Sequence, residues 1–505
     1  MPVPGRLTML ARLNTETRAR GLRARRRRRS FSLADDYLPV SVHPSRVHWT
    51  NPTIPLNRRG RYVLYWTQIF RRPEHNHALD YAIERADDLG LPVVVYEGLR
   101  DDYPWACDRF HVFIMEGALQ SAAAFARKRI PHVFFLERGA EGHGRALKRM
   151  ARGAALVVTD FFPCFIMPAQ TREAAEQLPV PLHAVDSCGV VPLALFEKEE
   201  YAARTLRPKI HRVLDDHLRP MRDPEPRHQA KDPGMDLSWG TPLGERSPAE
   251  WAATCDIDHS VPPVPSIPGG FLAAKKLLAD FVKNRLPRYA DDRNHPDRDA
   301  SSGLSPYLHF GHIHAVDAAL AAKKRKGVPA RSLEAFLEEL IVRRELSFNF
   351  ALRNPRFTSL GGLPDWVLRN LAEHARDERE HVYTAGEFER ADTHDEVWNA
   401  AQRQLIREGR IHNYLRMVWG KKINEWSRSH EEAFRIMVHL NNKYALDGRD
   451  PNSWTGILWC FGKHDRAWQT TPVLGKIRPM STASTRRKVR MEEYLARFGR
   501  GAEPR

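Results

Sequence analysis

The sequence predicts an α/β domain built on a parallel sheet, followed by a larger all-α domain. Three observations lead to this prediction. In residues 61–186, short apolar runs alternate with segments of helical periodicity, which is typical of a sheet wrapped by helices. Residues 187–268 are rich in proline and poorer in periodicity, which indicates a long connection. Residues 270–496 are almost entirely helical in pattern.

The N-terminal part contains five candidate strands, each a short and nearly continuous apolar run. Such runs are typical of strands that are buried on both faces. The strands are predicted at 62–66, 91–96, 132–136, 155–159 and 182–185. The helices between them are predicted at 78–89, 110–127, 144–150 and 170–178. Ligands of such sheets bind at the carboxyl ends of the strands. The sequence has no GxGxxG after the first strand and no GxxxxGK[ST], so an ordinary dinucleotide or phosphate-loop site is not indicated.

The predicted organisation has four parts. They are a basic, disordered tail at 1–40, the α/β domain at 60–190, an inter-domain linker at 191–268 that lies over the surface, and the helical domain at 269–496. Within the helical domain, prolines indicate where helices stop. These prolines are Pro287, Pro306, Pro355 and Pro451.

The composition is that of a soluble globular protein with a basic surface. The 505 residues are 42% hydrophobic and 28% charged, with a net charge of +17. Ten arginines and one glutamate within residues 1–30 supply about half of this charge, so the remaining body is also basic. A basic body is compatible with a phosphate-backbone partner but does not identify one.

The cysteines and the apolar runs exclude several other classes of protein. The five cysteines have no paired spacing and no CxxC, so neither disulfides nor a metal site is predicted, and a reducing cytoplasm is the expected location. No apolar run approaches the roughly 20 residues that a membrane-spanning helix needs. The basic N-terminus is not followed by the apolar segment of a signal peptide.

Three tryptophans form the most informative pattern of the chain. Trp419 and Trp426 lie seven residues apart on one predicted helix, which places them on the same face roughly 10 Å apart. Trp398 lies on the preceding predicted helix. Tryptophan can lose and regain an electron, so such a file ending at a redox cofactor is a candidate electron path. On these positions alone, three core aromatic residues are the commoner explanation.

Two charged pairs and one loop are further candidates. The loop GLSPYLHFG, at 303–311, follows basic and hydroxyl residues suited to phosphate, although on the residues alone a loop with a capped helix is the commoner explanation. Arg416 and Asp447 are charged residues in apolar surroundings, and a structural clamp between helix and loop is the alternative to a functional pair. Glu339 precedes Arg343 by four residues on a predicted helix, where the plain expectation is an ion pair within that helix.

Eight segments together resemble one family, the class II cyclobutane pyrimidine dimer photolyases of the cryptochrome/photolyase family. They occur in the order and spacing of that family, between residues 61 and 489. The segments are VVTDF (157–161), EKEEYAARTLRPKI (197–210), GLSPYLHFG (303–311), LEELIVRREL (337–346), WNAAQ (398–402), RMVWGKKINEW (416–426), LNNKYALDGRDPN (440–452) and GKIR (475–478).

The resemblance implies a fold, a cofactor and a set of site residues. The α/β domain is then of the antenna-binding type, and the helical domain binds fully reduced FAD. The residues implied in cofactor binding are Tyr289, Arg293, Ser301, Leu304, Ser305, Arg416, Asn441 and Asp447. Asn441 would face the flavin ring, and Trp419, Trp398 and Trp426 would relay electrons to resting flavin. The resemblance does not decide whether an antenna chromophore is bound.

The implied substrate is DNA that contains pyrimidine dimers. Glu339 would hydrogen-bond the bases of a flipped-out dimer, and Arg343, Met417 and Trp459 would line the same pocket. Basic residues near the C-terminus, Arg478 among them, would meet phosphates. The implied protein is a light-dependent carbon–carbon lyase, monomeric, without a membrane partner, in the bacterial cytoplasm and associated in function with the nucleoid.

Two other functions stay open at this stage. A cryptochrome-like photoreceptor would keep the flavin and the tryptophans but would not need Glu339, Met417 and Trp459. A nucleic-acid binder that merely keeps the fold would lose the flavin contacts. Three segments depart from the family pattern. The first-strand segment reads YWTQIFRRPEHNHAL (65–79), Ser453-Trp454 follows GRDPN, and the segment after GKIR lacks the usual aromatic, asparagine and glycine–cysteine residues.

Overall fold

The N-terminal part of the protein is a six-stranded sheet. The computed structural model describes residues 41–139, 144–229 and 237–501, so the predicted tail at 1–40 lies outside the described residues. The strands are β1 (Val47–Trp49), β2 (Tyr62–Thr67), β3 (Val93–Arg100), β4 (His132–Glu137), β5 (Ala154–Phe161) and β6 (Leu182–Asp186). Their order is β1-β6-β5-β2-β3-β4, and every neighbouring pair is parallel except β1 with β6. The predicted parallel sheet is confirmed, with an antiparallel edge strand that the sequence did not indicate.

Four helices cover the two faces of this sheet. They are α1 (His77–Asp88), α2 (Asp108–Arg127), α3 (Arg145–Ala151) and α4 (Met167–Gln177). Alternate strand residues point to opposite faces. Val63 and Tyr65 of β2 pack in one core with α1, whereas Tyr62 and Leu64 pack in another with α3 and α4. Burial on both faces explains why the strands are continuous apolar runs.

The order of the strands reverses beside β2, and the helical part contacts the sheet near this point. Asp160, in the segment VVTDF, accepts hydrogen bonds from the backbone N–H groups of Gln68, Ile69 and Phe70 at 2.9, 2.8 and 2.8 Å. The loop after β2 is therefore fixed from β5. Gly311, at φ 67°, approaches this loop so closely that a Cβ atom there would lie 2.3 Å from the carbonyl oxygen of Ile69.

The connection between the two parts contains more structure than the sequence predicted. It includes α5 (Ala203–His217) and α6 (Pro248–Ala252). Leu206 and Ile210 of α5 are fully buried, and Trp251 of α6 is 8% exposed. The interpretation of this segment as a surface linker is wrong for α5. Its apolar residues recur at helical spacing, but Pro208 lies inside the helix, and a proline at that position is not typical of a helix interior.

The C-terminal part is helical, as predicted. Its first half contains α7 (Phe271–Asp280), α8 (Tyr289–Asp292), α9 (Ser305–His309), α10 (Ala315–Lys324), α11 (Ala330–Leu337), α12 (Arg344–Arg353) and α13 (Asp365–Glu373). Its second half contains α14 (Ala385–Glu389), α15 (Glu396–Glu408), α16 (Asn413–Trp426), α17 (His430–Tyr444), α18 (Pro451–Trp459), α19 (Thr482–Lys488) and α20 (Glu492–Phe498). A π-helical turn, Glu338–Arg343, joins α11 to α12.

Two of the four prolines predicted to stop helices instead begin them. Pro306 and Pro451 lie in the first turn of α9 and α18. Proline is well suited to that position, because its missing N–H has no partner there in any helix and its fixed φ is helical. Pro355 follows the end of α12, as predicted.

Three findings for the described residues bear on the expectations from composition. No helix in this part of the chain combines the length and apolar character needed to cross a membrane. All five cysteines are buried and carry free thiols. Within the described ranges, no group of three or more histidine, cysteine, aspartate or glutamate residues is placed to hold a metal ion.

Candidate functional site

A cavity of about 380 Å³ in the helical part gathers most of the residues predicted for cofactor and substrate. Those that line it are Tyr289, Arg293, Ser301, Ser305, Glu339, Arg416, Met417, Trp419, Asn441 and Asp447. They come from α8, α9, the π-helical turn, α16, α17 and the turn after α17. Residues far apart in the sequence thus converge on one concave site, which is the usual form of a ligand site.

The π-helical turn determines which residue the side chain of Glu339 contacts. Its carboxylate is 2.7 Å from Nη1 of Arg293, whose guanidinium lies 5.8 Å from the ring centroid of Tyr289. The expected ion pair between Glu339 and Arg343 is wrong, because Arg343 pairs with Glu338 at 3.2 Å. A π-helical turn rotates side chains away from the spacing of an α-helix, so residues four apart no longer share a face.

Arg416 and Asp447 form the predicted pair, at 2.9 Å. Arg416 lies on α16, and Asp447 lies in the turn between α17 and α18. Asn442 fixes this turn, because its side-chain oxygen accepts a hydrogen bond from the backbone N–H of Arg449 at 3.0 Å, where φ is 63°. The pair links the helix to the loop, as the structural explanation expects, and it is also part of the cavity wall.

Asn441 is buried in the cavity wall and bonded to a residue of the divergent segment. Its amide nitrogen donates to the hydroxyl of Ser453 at 2.5 Å and to the side-chain oxygen of Asn442 at 3.1 Å. Ser453 itself lines the cavity. The departure from the family pattern at Ser453 therefore lies directly behind the residue predicted to face the flavin, and it supplies that residue with a hydrogen-bond partner.

Trp419 is the member of the tryptophan file that reaches the cavity. Its ring is 6.5 Å from that of Trp398, with the two planes 5° apart, and Trp398 is 6.3 Å from Trp426. Hydrogen bonds fix both rings: the indole N–H of Trp398 donates to the carbonyl of Trp419 at 3.0 Å, and that of Trp419 donates to Gln402 at 2.9 Å. The three indoles are consecutive neighbours, in the predicted order.

Several predicted residues lie outside the cavity lining. Trp398 and Trp426 are the more distant members of the file, and Leu304 is buried behind the loop, where its N–H donates to Ser302 at 3.3 Å. Arg343, Trp459 and Arg478 are also not part of the lining. Trp459 ends α18, with the ammonium of the fully buried Lys421 4.7 Å from its ring centroid.

Sequence reasoning missed polar residues of the lining, of which His412 is the clearest. Its side chain is buried in the cavity wall, and neither ring nitrogen has a hydrogen-bond partner. Burial lowers the pKa of His412 to about 4, so the imidazole is neutral and offers one donor and one acceptor. No pattern singles out this histidine in the sequence, although it lies four residues before Arg416. Ser302, Arg344 and Arg410 also line the cavity.

A second cavity of about 400 Å³ lies between the sheet and the helical part. It is lined by residues at or after the carboxyl ends of β2, β3 and β4, by the segment after β5 that includes α4, and by His309, Phe310 and Arg449 of the helical part. Nη1 of Arg71 and Nη2 of Arg449 are buried without a hydrogen-bond partner. This is the carboxyl edge of the sheet at its topological switch point, where the sequence predicted ligands to gather.

Comparisons with known proteins identify the family. No protein-family model matches the chain. The chain is 39% identical over 458 residues to the deoxyribodipyrimidine photo-lyase of Methanothermobacter thermautotrophicus, which covers 90% of this chain and 98% of the relative. It is 36% identical over 474 residues to that of Arabidopsis thaliana, covering 90% and 93%. The chain belongs to the deoxyribodipyrimidine photo-lyase family.

The fold agrees with this membership. A class III photolyase from Agrobacterium tumefaciens superposes with a TM-score of 0.65 at 17% identity, covering 88% of each chain. An archaeal photolyase from Sulfolobus tokodaii, described with two FAD molecules, superposes with a TM-score of 0.61 at 17% identity, covering 86% of this chain and 88% of the other. The predicted fold class, a Rossmann-like α/β domain followed by an all-α domain, is confirmed.

Proposed function

We propose that this protein is a light-dependent DNA repair enzyme that splits cyclobutane pyrimidine dimers, a deoxyribodipyrimidine photo-lyase that uses reduced FAD. The observation that carries the proposal is the convergence, in one cavity of a photolyase-family chain, of cofactor residues that lie between positions 289 and 447 of the sequence. The eight family segments support class II as the subclass. A photoreceptor without repair activity is the alternative, and the assay below separates the two.

The residues of the cavity fit FAD. The hydroxyls of Ser301 and Ser305 and the guanidinium of Arg293 suit phosphate and ribityl groups, and the unpartnered nitrogens of His412 suit a further polar group of the cofactor. Arg416 supplies a fixed positive charge that favours an anionic reduced ring. When bound, reduced FAD supplies a light-excited electron donor for the dimer, and the electron returns after the ring splits.

The protein itself contributes position, charge and dryness. Asn441 is held by Ser453 and Asn442, so its amide presents one fixed orientation to the cavity. Glu339 is a partly exposed carboxylate of the lining, with 39% of its side chain accessible, and it can exchange its contact with Arg293 for a base of the flipped-out dimer. Met417 and the neighbouring Trp459 supply apolar surface for that dimer.

A group of two arginines and one tryptophan supports DNA as the partner. The guanidiniums of Arg466 and Arg478 each lie 4.8 Å from the ring centroid of Trp468, and both arginines are exposed. Exposed guanidiniums beside an aromatic ring suit the phosphates and bases of a nucleic acid. The sequence indicated Arg478 but not Trp468, because the segment around GKIR departs from the family pattern. Arg486, Arg487 and Lys488, in the last turn of α19, add positive charge.

The proposal also covers the domain organisation, the oligomeric state and the cellular location of the protein. We assign the α/β domain to residues 60–190, the connection to 191–268 and the cofactor domain to 269–496, with a basic tail at 1–40. We expect the active unit to be a monomer. Five buried free thiols support a reducing compartment, the bacterial cytoplasm, with the nucleoid as the place of action.

The second cavity supports a second ligand, an antenna chromophore. Its lining combines aromatic and aliphatic side chains with two buried guanidiniums, Arg71 and Arg449, each of which has one nitrogen without a hydrogen-bond partner. Such a lining suits a planar aromatic group that carries negative charge. Absorption spectra of the purified protein, before and after acid extraction, test this assignment. A chromophore other than FAD that is lost from an Arg71→Leu variant would support it.

The decisive experiment is dimer repair by purified protein with chemically reduced flavin, on a thymine oligonucleotide that carries ultraviolet damage. Recovery of thymine absorbance under blue light, and none in the dark, is the expected result. Bound flavin without repair would instead favour the photoreceptor. Absence of flavin after reconstitution would contradict the cofactor assignment itself.

A further inference from the structure

The tryptophan file continues past Trp426 to a group of residues at the surface. Trp426 is buried, at 6% exposure. Its ring centroid lies 6.0 Å from that of Tyr383, 4.7 Å from that of His394 and 6.5 Å from that of His381. Tyr383 is also tied to Trp426 through the backbone, because its N–H donates to the Trp426 carbonyl at 2.9 Å. The path of aromatic rings therefore runs from the cavity to solvent.

Tyr383 and His394 form a hydrogen-bonded pair at this end. The phenolic oxygen of Tyr383 is 2.7 Å from Nδ1 of His394, and it accepts a hydrogen bond from the backbone N–H of His394 at 3.0 Å. The backbone donor occupies a lone pair of the phenol, so the hydroxyl proton is directed to Nδ1. His381 stacks on the other side of His394, with ring centroids 3.7 Å apart.

The surroundings keep the His394 imidazole free to take a proton. Burial and the neighbouring His381 lower the pKa of His394 below its usual range, while Asp395 and Glu380 oppose this change and Lys422 adds to it. The ammonium of Lys422 lies 5.5 Å from the Trp426 ring centroid and is also paired with Glu425. Near neutral pH the imidazole is therefore uncharged. His394 is exposed, so a proton that it receives can pass to water.

We propose that His394 is the proton acceptor that allows the electron path of this protein to end on Tyr383. An electron moves from Tyr383 to the oxidised indole of Trp426, and the phenolic proton moves from Oη of Tyr383 to Nδ1 of His394. The O–H bond breaks and an N–H bond forms. The products are reduced Trp426, a neutral tyrosyl radical and an imidazolium. This inference rests on the proposed function, because the oxidant is the light-excited, oxidised flavin, which takes one electron from Trp419.

The proton transfer has a physical consequence for the direction of electron flow. A phenol that loses an electron becomes a strong acid, and Nδ1 of His394 already lies within hydrogen-bond distance. Once the proton has moved, an electron can return from the flavin to the tyrosyl radical only together with a proton. Charge recombination is thereby slowed, and the surface radical can meet an external reductant.

The first test needs neither light nor bound flavin. The NMR titration of the His394 ring is compared in the wild type and in Tyr383→Phe, in the dark. Because the phenol donates to Nδ1 and stabilises the neutral ring, Tyr383→Phe should raise the pKa of His394. An unchanged titration would overturn the assigned hydrogen bond. Tyr81→Phe is the matched control, since Tyr81 contacts Nδ1 of His183 at 2.9 Å in the α/β domain, far along the chain from the tryptophan file.

The second test follows the radicals after a light flash on the protein loaded with oxidised FAD. The wild type should form a neutral tyrosyl radical, more slowly in D₂O than in H₂O. His394→Gln, whose amide accepts a hydrogen bond but not a proton, should lose this radical, keep oxidised tryptophan and recombine faster. Tyr81→Phe should match the wild type. The same yield of tyrosyl radical in His394→Gln, or no isotope effect in the wild type, would overturn the proposal.

A control separates this inference from the proposed function. Dimer repair is measured in the same samples after chemical reduction of the flavin. Repair should be equal in the wild type, His394→Gln and Tyr383→Phe, because the electron path only restores resting flavin. Absence of repair in the wild type would contradict the proposed function, whereas the dark titration would still decide the Tyr383–His394 contact.

Discussion

Two arginine–carboxylate pairs share the flavin cavity but differ in their access to water. Arg416–Asp447 closes at 2.9 Å with side chains 19% and 13% exposed, whereas Arg293–Glu339 closes at 2.7 Å with 30% and 39% exposed. A third pair, Arg343–Glu338, lies outside the lining with 50% and 25% exposed. The chemistry is the same in all three, so the pairs differ mainly in exposure, and the roles proposed for the first two, a fixed cofactor contact and an exchangeable substrate contact, follow that difference.

The physical basis is the balance between desolvation and attraction. A pair that is largely removed from water is costly to break, because the remaining charge has no solvent to replace its partner. A pair in partial contact with water holds its partners weakly and can release them to a ligand. Arg416 and Asp447 also join α16 to the turn after α17, so they support the cavity wall as well as its charge.

The largest effect is expected at the inner pair. Arg416→Met leaves the Asp447 carboxylate without its guanidinium in a half-buried site, which should lower the free energy of unfolding by about 1–3 kcal/mol. It also removes the positive charge that favours anionic flavin, so purified protein should retain less than a tenth of the wild-type flavin. Urea unfolding and flavin absorbance measure the two effects.

The matched control is the double variant Arg416→Met/Asp447→Leu. Removing both charges should recover part of the unfolding free energy but none of the flavin, because stability depends on the unpaired carboxylate and flavin binding depends on the cation. If Arg416→Met retained full flavin, Arg416 would be a structural clamp and no more.

An intermediate effect is expected at the outer pair. Glu339→Gln keeps the shape of the side chain but removes its charge, and it should lower the repair yield about tenfold, which corresponds to roughly 1.4 kcal/mol. Flavin content and the unfolding midpoint should stay as in the wild type, because the Glu339 side chain is partly exposed. Repair per absorbed photon on a dimer-containing oligonucleotide is the measurement.

Glu338→Gln provides the control for this variant. Glu338 lies on the same π-helical turn, is paired with Arg207 and Arg343, and is not part of the cavity lining. Its substitution should leave the repair yield unchanged. Equal losses from the two variants would mean that the turn as a whole, rather than the Glu339 carboxylate, supports repair.

The outer pair also shows what could be predicted from the sequence. Glu339 was placed in the site through its family segment, but its partner was expected four residues later and is Arg293 instead. The π-helical turn that causes this difference leaves no periodic signal, since its apolar residues still fit an α-helix. Short motifs therefore indicated most of the residues that share the cavity, whereas local geometry decided which of them meet within it.

The remaining differences have similar causes. The strand β1 has only three residues, none of them fully buried. It is therefore too short for a period-two pattern to be recognised in the sequence. Trp468 and His412 become functional candidates only through neighbours that lie far away in the sequence or through the lack of any partner. In contrast, the strands β2 to β6 and the pair Arg416–Asp447 were predictable, because burial on both faces and an isolated charge in apolar sequence are visible in the chain itself.

The smallest effect is expected at Arg343, and this prediction decides whether exposure is sufficient to rank the three pairs. Arg343→Ala removes an exposed contact with Glu338, which still keeps Arg207, so the free energy of unfolding should change by less than about 1 kcal/mol. Flavin content and repair per bound dimer should match the wild type, while affinity for damaged DNA should fall by less than about tenfold and more at low salt than at high salt. Fluorescence anisotropy at two salt concentrations tests this expectation. A loss of repair per bound dimer as large as that of Glu339→Gln would place Arg343 in the substrate pocket when DNA is bound, and exposure in the free protein would then not separate the two roles.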